Sequence, residues 1–296
     1  SGFALLALGM QKVPHTLQDL TLLTYLKMLG ESELKYEKCL QKPLVVPQEN
    51  LIKSGKFKIG VSLSAGNKMK TPPKKTWVKI FEIFAKFDCE VYIFGVGEEA
   101  TLLKNLLAEN ADQKQAKNPG DGQICADLAS DTSEIYGGLE NANGKQSKAQ
   151  ICSKNSTNDG SNFSSQICDT YVKRFGENEL KIISLIGKIK LEELPFYLSQ
   201  MQLYASSDTG NYYVADSVRT PTICLMGPCF ASEQRGVADS LVISSHLPPI
   251  SSVFKTVRDI DASAFFELSE QNLADIEAFV KVRYISYLSR EDNFLC

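Results

Sequence analysis

The chain has only two histidines, His15 and His246, and none of its eight cysteines forms a C-x-x-C pair, so zinc-type ligand spacing is missing. It also lacks an excess of either charge. Lys+Arg 32 against Asp+Glu 35 leaves a net charge of -3, which gives no general attraction to nucleic acid or to an anionic membrane and leaves room only for a local basic patch. No apolar run approaches the ~18 residues of a spanning helix. The opening Phe3-Ala4-Leu5-Leu6-Ala7-Leu8 is too short for a signal peptide and has no positive flank. These absences predict a cytoplasmic protein without metal or nucleic acid. Against them stands a hydrophobic content of 43% over 296 residues, enough for a core in one large domain or two ordinary ones. Cys89 and Cys224 sit in apolar, strand-like runs and read as reduced core thiols.

From Thr16 to Leu29 the residues Leu17, Leu20, Leu23, Tyr25, Leu26 and Leu29 recur at helical spacing, and Gly30 stands where a C-cap would. Pro43 and Pro47 then fall in a stretch without sustained period, which suits a linker. Residues 1–50 therefore read as the tail of a preceding domain plus a linker, and 51–296 as the main domain. There Phe57–Leu63 reads as a strand, a Ser64-Ala65-Gly66-Asn67 loop carries on to Lys68 and Lys70, and Pro72-Pro73 opens a helix through Trp77, Ile80, Phe81 and Phe84. Glu90–Phe94 is the next strand, followed by a helix from about Glu98 to Ala108. Strands alternating with helices at this spacing predict an α/β fold with a parallel sheet and right-handed crossovers. Gly95-x-Gly97-x-x-Ala100 matches the dinucleotide fingerprint, but in the second βα turn rather than the first, where that motif belongs.

Between Glu109 and about Gly176 the composition turns to Asn, Ser, Asp, Gly, Gln and Lys, which predicts a disordered insertion. Gln-Ile-Cys recurs inside it at 123–125, 150–152 and 166–168, at unequal spacing and without histidine; duplicated sequence in a tolerated loop accounts for it better than a metal site does. Periodicity returns with a strand at Leu180–Leu185 and a helix carrying Leu191, Leu194, Phe196, Tyr197 and Leu198. The run from Pro228 to Leu247 has no readable pattern, and Ser269 caps a last helix reaching about Leu288.

The most informative stretch is Leu203–Pro228: a short apolar strand, the turn Ser206-Ser207-Asp208-Thr209-Gly210, a helix, and a second strand ending on Gly227-Pro228. Small residues before a helix let backbone approach a ligand, and the free N–H groups of the first helical turn favour an anion such as phosphate. Asp208 conflicts with that, since a carboxylate repels phosphate. Either it is a plain helix N-cap, or it points at hydroxyls of a sugar joined to the phosphate.

Taken together these segments resemble glycosyltransferase family 9, the lipopolysaccharide heptosyltransferases. Lys70-Thr71-Pro72-Pro73 followed by Trp77 stands where the family has Lys-Arg-Trp-Pro; Phe94-Gly95 with Glu98 follows its Phe-Gly turn and acid. Leu185-Ile186-Gly187-Lys188-Ile189-Lys190-Leu191-Glu192-Glu193-Leu194, Asp208-Thr209-Gly210 and Met226-Gly227-Pro228 follow in the family's order. The match covers about residues 51–108 and 180–290. It implies the Rossmann-like nucleotide-sugar domain of a two-domain GT-B type enzyme, with most of the N-terminal, acceptor-side domain absent from this chain. Carried over, the resemblance makes Lys70 the catalytic cation on the diphosphate and Asp208 the partner of sugar hydroxyls. Thr209 and Gly210 become backbone donors, Glu98 the ribose ligand and Ile189 the packing surface for the base, with Ser64 and Tyr213 also at the donor site. It implies an ADP-heptose-like donor, a lipopolysaccharide core or lipid A acceptor, no cofactor, and contact with the periphery of the inner membrane. Departures are Tyr213, where the family has histidine, and Thr71-Pro72, where it has Arg-Trp. The other reading is a truncated, non-catalytic nucleotide-binding module, and on either reading the chain alone is expected to transfer no sugar.

Overall fold

The computed structural model describes residues 13–30, 42–108, 168–253, 257 and 260–292. Its centre is a seven-stranded sheet in the order β3-β4-β2-β1-β5-β6-β7. The strands are β1 Phe57–Val61, β2 Cys89–Ile93, β3 Asp169–Phe175, β4 Asn178–Ser184, β5 Leu203–Ser207, β6 Thr222–Gly227 and β7 Ser240–Ser244. All neighbours run parallel except β3, which pairs antiparallel with β4. The helices are α1 Thr21–Met28, α2 Lys74–Phe84, α3 Gly97–Leu107, α4 Leu194–Ser199, α5 Gly210–Ser217 and α6 Glu270–Asp292. The fold is α/β and Rossmann-like.

Helices cover both faces because the inner strands alternate between two apolar sets. Phe57, Ile59 and Val61 of β1 share one core with Trp77, Ile80, Phe81 and Phe84 of α2, Leu103 and Leu106 of α3, and Ile276 and Val280 of α6. On the opposite face Tyr92, Ile183 and Tyr204 pack with Leu194, Tyr197 and Leu198 of α4 and Ala215 of α5. Gly60 lies on that second face, where a Cβ would stand 2.8 Å from Tyr204.

Several expected boundaries move. The polar stretch ends earlier than expected, because Asp169–Phe175 forms β3 in register with β4, Tyr171 opposite Ile182. Its exposed face is solvated, so the residues look like loop composition although Phe175 is buried against Phe81. The Gln-Ile-Cys repeats up to Ile167 and the rest of 109–167 lie outside the described residues, as do 1–12 and 31–41. β7, in the run without readable pattern, is only partly buried at the sheet edge, so no apolar alternation marks it. The first helix begins at Thr21 rather than Thr16: Asp19 accepts from the Thr16 backbone N–H (2.7 Å) and holds a turn there instead. Its expected apolar face is also partly covered, with Leu20 buried, Leu23 half-buried and Leu17 exposed. β1 ends at Val61, two residues early, and β2 runs from Cys89 to Ile93. Among the described residues no helix is long and apolar enough to cross a membrane.

Candidate functional site

β1 leads outward through β2 to one side of the sheet, and β5 leads through β6 and β7 to the other, so the order in which strands are added reverses between the parallel strands β1 and β5. In open parallel sheets the crevice outside the carboxyl ends of such strands is where ligands bind. The loop after β1 carries Ser64 and Lys70, and the loop after β5 carries Asp208 and Thr209, with Gly210 opening α5.

Lys70 closes a single 3-10 turn, Lys68–Lys70, which the Asn67 side chain caps by accepting from the Met69 backbone N–H at 3.2 Å. Met69 is buried and anchors the turn. Trp77 at the head of α2 donates its indole N–H to the Leu63 carbonyl (3.1 Å), fixing the other limb of the loop. Lys70 then reaches across to Asp208: Nζ lies 2.5 Å from Oδ2, with a second bond to Gln234 Oε1 at 3.1 Å. Tyr213, one turn into α5, donates its hydroxyl to Asp208 Oδ1 at 2.7 Å. The N-cap position of α5 belongs to Thr209, while both Asp208 oxygens face Lys70 and Tyr213. Asp208 is therefore not a helix cap.

Burial disfavours the charge on Lys70, but the charge and hydrogen bond of Asp208 outweigh it and hold the ammonium above the ordinary lysine range. Burial first, and then Asp208, push the Tyr213 hydroxyl far up, so it is a neutral donor. The neighbouring Cys229 thiol is raised to about 11, by burial against the lowering effect of Lys70. Because Lys70 binds its proton more tightly when folded, its contribution to stability is complete below the ordinary value of 10.5 and is lost as pH rises through the higher folded value. Melting temperatures between about pH 9 and pH 12 should fall more steeply for the unaltered chain than for a Lys70→Met, Asp208→Asn double variant, and parallel falls would count against the coupling.

The first turn of α5 completes the site. Gly210 is exposed, and a Cβ there would meet no atom within 4 Å. The hydroxyls of Ser207 and Thr209 are buried and unpartnered among the described residues. Beneath them Ser62 Oγ joins the strands to α5, accepting from Tyr204 OH (2.7 Å) and Asn211 Nδ2 (3.1 Å) and donating to the Phe94 carbonyl (3.1 Å).

No protein-family model and no curated protein matches this sequence. Solved structures do match, three of them glycosyltransferases by name. One is a glycosyl transferase of family 9 from Veillonella parvula, at 11% identity and a TM-score of 0.41, covering 79% of this chain and 48% of that one. Another is the E. coli ADP-heptose lps heptosyltransferase II, at 12% and 0.48, covering 90% of this chain and 62% of that one. A further one is E. coli heptosyltransferase WaaC with ADP, at 13% and 0.41, covering 88% and 54%. The chain thus spans between about half and three-fifths of the length of these structures.

Of the residues expected at the site, the fold gathers Lys70, Asp208, Thr209, Gly210 and Tyr213. Ser64 lies on the same loop as Lys70 but is bonded to Glu99, its hydroxyl 2.6 Å from Oε1. Glu98 points into solvent on the first turn of α3, whereas Glu99 is buried and also accepts from the Val96 backbone N–H at 3.2 Å. An acid at the third helical position reaching back to the N-cap N–H was a readable signal, and it distinguishes Glu99 from its neighbour. Ile189 is half-buried against the α4 core. Gln234 and Cys229 were not anticipated, because they follow β6 in a turn without pattern. Among the described residues no group of three or more His, Cys, Asp or Glu side chains could hold a metal ion.

Proposed function

We propose that this chain is the nucleotide-sugar-binding half of an inverting, metal-independent glycosyltransferase of the heptosyltransferase kind. The observation that carries the reading is the Lys70–Asp208 pair set across the β1/β5 crevice beside the first turn of α5. The donor would be an ADP-linked, heptose-like sugar and the acceptor a lipopolysaccharide core or lipid A, met at the periphery of the inner membrane.

An ammonium and the N–H groups of a helix start both oppose the negative charge that grows on a departing diphosphate, so Lys70, Thr209 and Gly210 supply what a metal supplies elsewhere. Tyr213 supports the site as a neutral donor. Where imidazolium would add charge, the phenol orients Asp208 instead. Displacement is direct, with an acidic general base from another domain deprotonating the acceptor hydroxyl. Glu98 would meet the ribose and Ile189 the base. Asp208 can serve the sugar while holding Lys70 and Tyr213, because a carboxylate offers about four lone-pair sites.

Calorimetry on Asp208→Asn tests this. Affinity for an ADP-linked heptose should fall by about 1.5–3 kcal/mol, the worth of a hydrogen bond to a charged group, and affinity for ADP by much less. Equal losses for both ligands would remove the sugar contact from the proposal.

A further inference from the structure

The turn after β6 touches Lys70 on one side and the N-terminal segment on the other. Phe230 accepts from the backbone N–H groups of Glu233 (3.1 Å) and Gln234 (3.0 Å), so two adjacent side chains leave one tight turn. Gln234 goes to Lys70. The Glu233 side chain is fully buried and meets His15 Nε2 at 2.9 Å through Oε1, while Oε2 accepts from the Val253 backbone N–H at 3.4 Å. His15 is itself held from behind, its Nδ1 2.6 Å from the Thr24 hydroxyl in α1. Two more bonds dock the same segment: Thr21 N–H to the Glu233 carbonyl (3.1 Å) and Ser232 Oγ to the Leu17 carbonyl (2.5 Å). Beyond Gln234 the turn is fixed independently to α5, by Asp216 accepting from Val237 N–H and Ala238 N–H (both 2.9 Å) and by Tyr212 OH accepting from Gly236 N–H (2.6 Å).

A turn pinned at 236–238 meets the N-terminal segment at its other end, where Thr21 and Leu17 hold its backbone side and His15 holds the Glu233 carboxylate. We infer that His15 is a positioning residue for Lys70: by fixing Glu233 it sets the orientation of Gln234, and through Gln234 it sets the Lys70 ammonium. The consequence for ligand affinity rests on the diphosphate role proposed above for Lys70; the coupling itself does not. Without His15 the buried Glu233 carboxylate keeps, among the described residues, only the 3.4 Å bond from Val253 N–H on its other oxygen; Oε1 then carries an uncompensated desolvation cost, the turn shifts to recover a partner, and Gln234 shifts with it.

Trace acetylation of the whole chain with acetic anhydride reads this without any nucleotide, taking Lys70 relative to the exposed Lys53. Lys70 should label slowly in the unaltered chain. Gln234→Leu and His15→Ala should each raise its labelling about threefold or more, as expected when a hydrogen bond to an ammonium is lost. The double variant should label no faster than Gln234→Leu alone. Thr24→Val, which removes only the hydroxyl behind His15, should give a smaller rise and guards against a misfolded His15→Ala. Unchanged Lys70 labelling in both the His15 and Thr24 variants would overturn the inference, as would an equal rise with and without Gln234. Calorimetry with ADP on the same proteins is read separately: an unaltered chain that fails to bind ADP would sink the proposed function and leave the labelling result standing.

Discussion

Lys70→Ala is expected to lower the folding free energy by about 3 kcal/mol, near the low end of what removing one partner of a buried ion pair costs. The Asp208 side chain is only 3% exposed, so its charge would lose its main counterion where water reaches it poorly. The cost stays at the low end because Lys70 is itself 19% exposed and Tyr213 still donates to Asp208. A second variant separates stability from binding. Lys70→Met with Asp208→Asn removes both charges and should recover most of the lost stability in urea unfolding, since a neutral pair carries no stranded charge. On the proposed function it should nevertheless bind ADP as poorly as Lys70→Ala, because the cation for the diphosphate is gone in both. Recovery of ADP binding along with stability would show that Lys70 shapes the loop and does not contact the ligand.

Gly227→Ala should cost about 2–5 kcal/mol, from two sources that add. Gly227 ends β6 at φ 58, a left-handed conformation in which a Cβ crowds the following carbonyl. The added methyl would also stand 2.3 Å from Phe266 Cζ, and Phe266 is buried between α2 and β6 with its carbonyl accepting from Thr76 Oγ1 at 2.8 Å. Neither the backbone nor the ring can yield without disturbing the other. The midpoint of urea unfolding should therefore drop with little change in its slope. Gly210→Ala is the contrast: its methyl enters open space, and stability should stay within about 1 kcal/mol. A Gly227→Ala chain as stable as the unaltered one would mean that the β6 end is free to relax, and the placement of Cys229 beside Lys70 would lose its support.

The α/β class and the β1-α2-β2-α3 and β5-α5-β6 units were legible because each strand there is an apolar run, Pro72-Pro73 opens α2 and a turn of small residues precedes α5; the cap of α5 was not, since the sequence offers Asp208 and the structure puts Thr209 there. The loops that border the crevice were legible to the same extent. Lys70 and Asp208 lie in loops at the ends of such strands, and short loops with small residues advertise close backbone approach. β3 and β7 were not legible, since edge strands bury one face or less and their composition is that of loops. What the sequence determined by itself was local: the alternation of elements, their helical and strand periods, and the loops that follow them. Only the tertiary structure decided which residues meet across distance. It brought Lys70 to Asp208, turned Glu99 of α3 inward onto Ser64 while leaving Glu98 exposed, and joined His15 to Glu233 across more than two hundred residues of chain. The physical reason is that periodicity records which face of an element is buried but carries no information on what is buried against it. A charged pair becomes visible only when the strand order places two loops side by side.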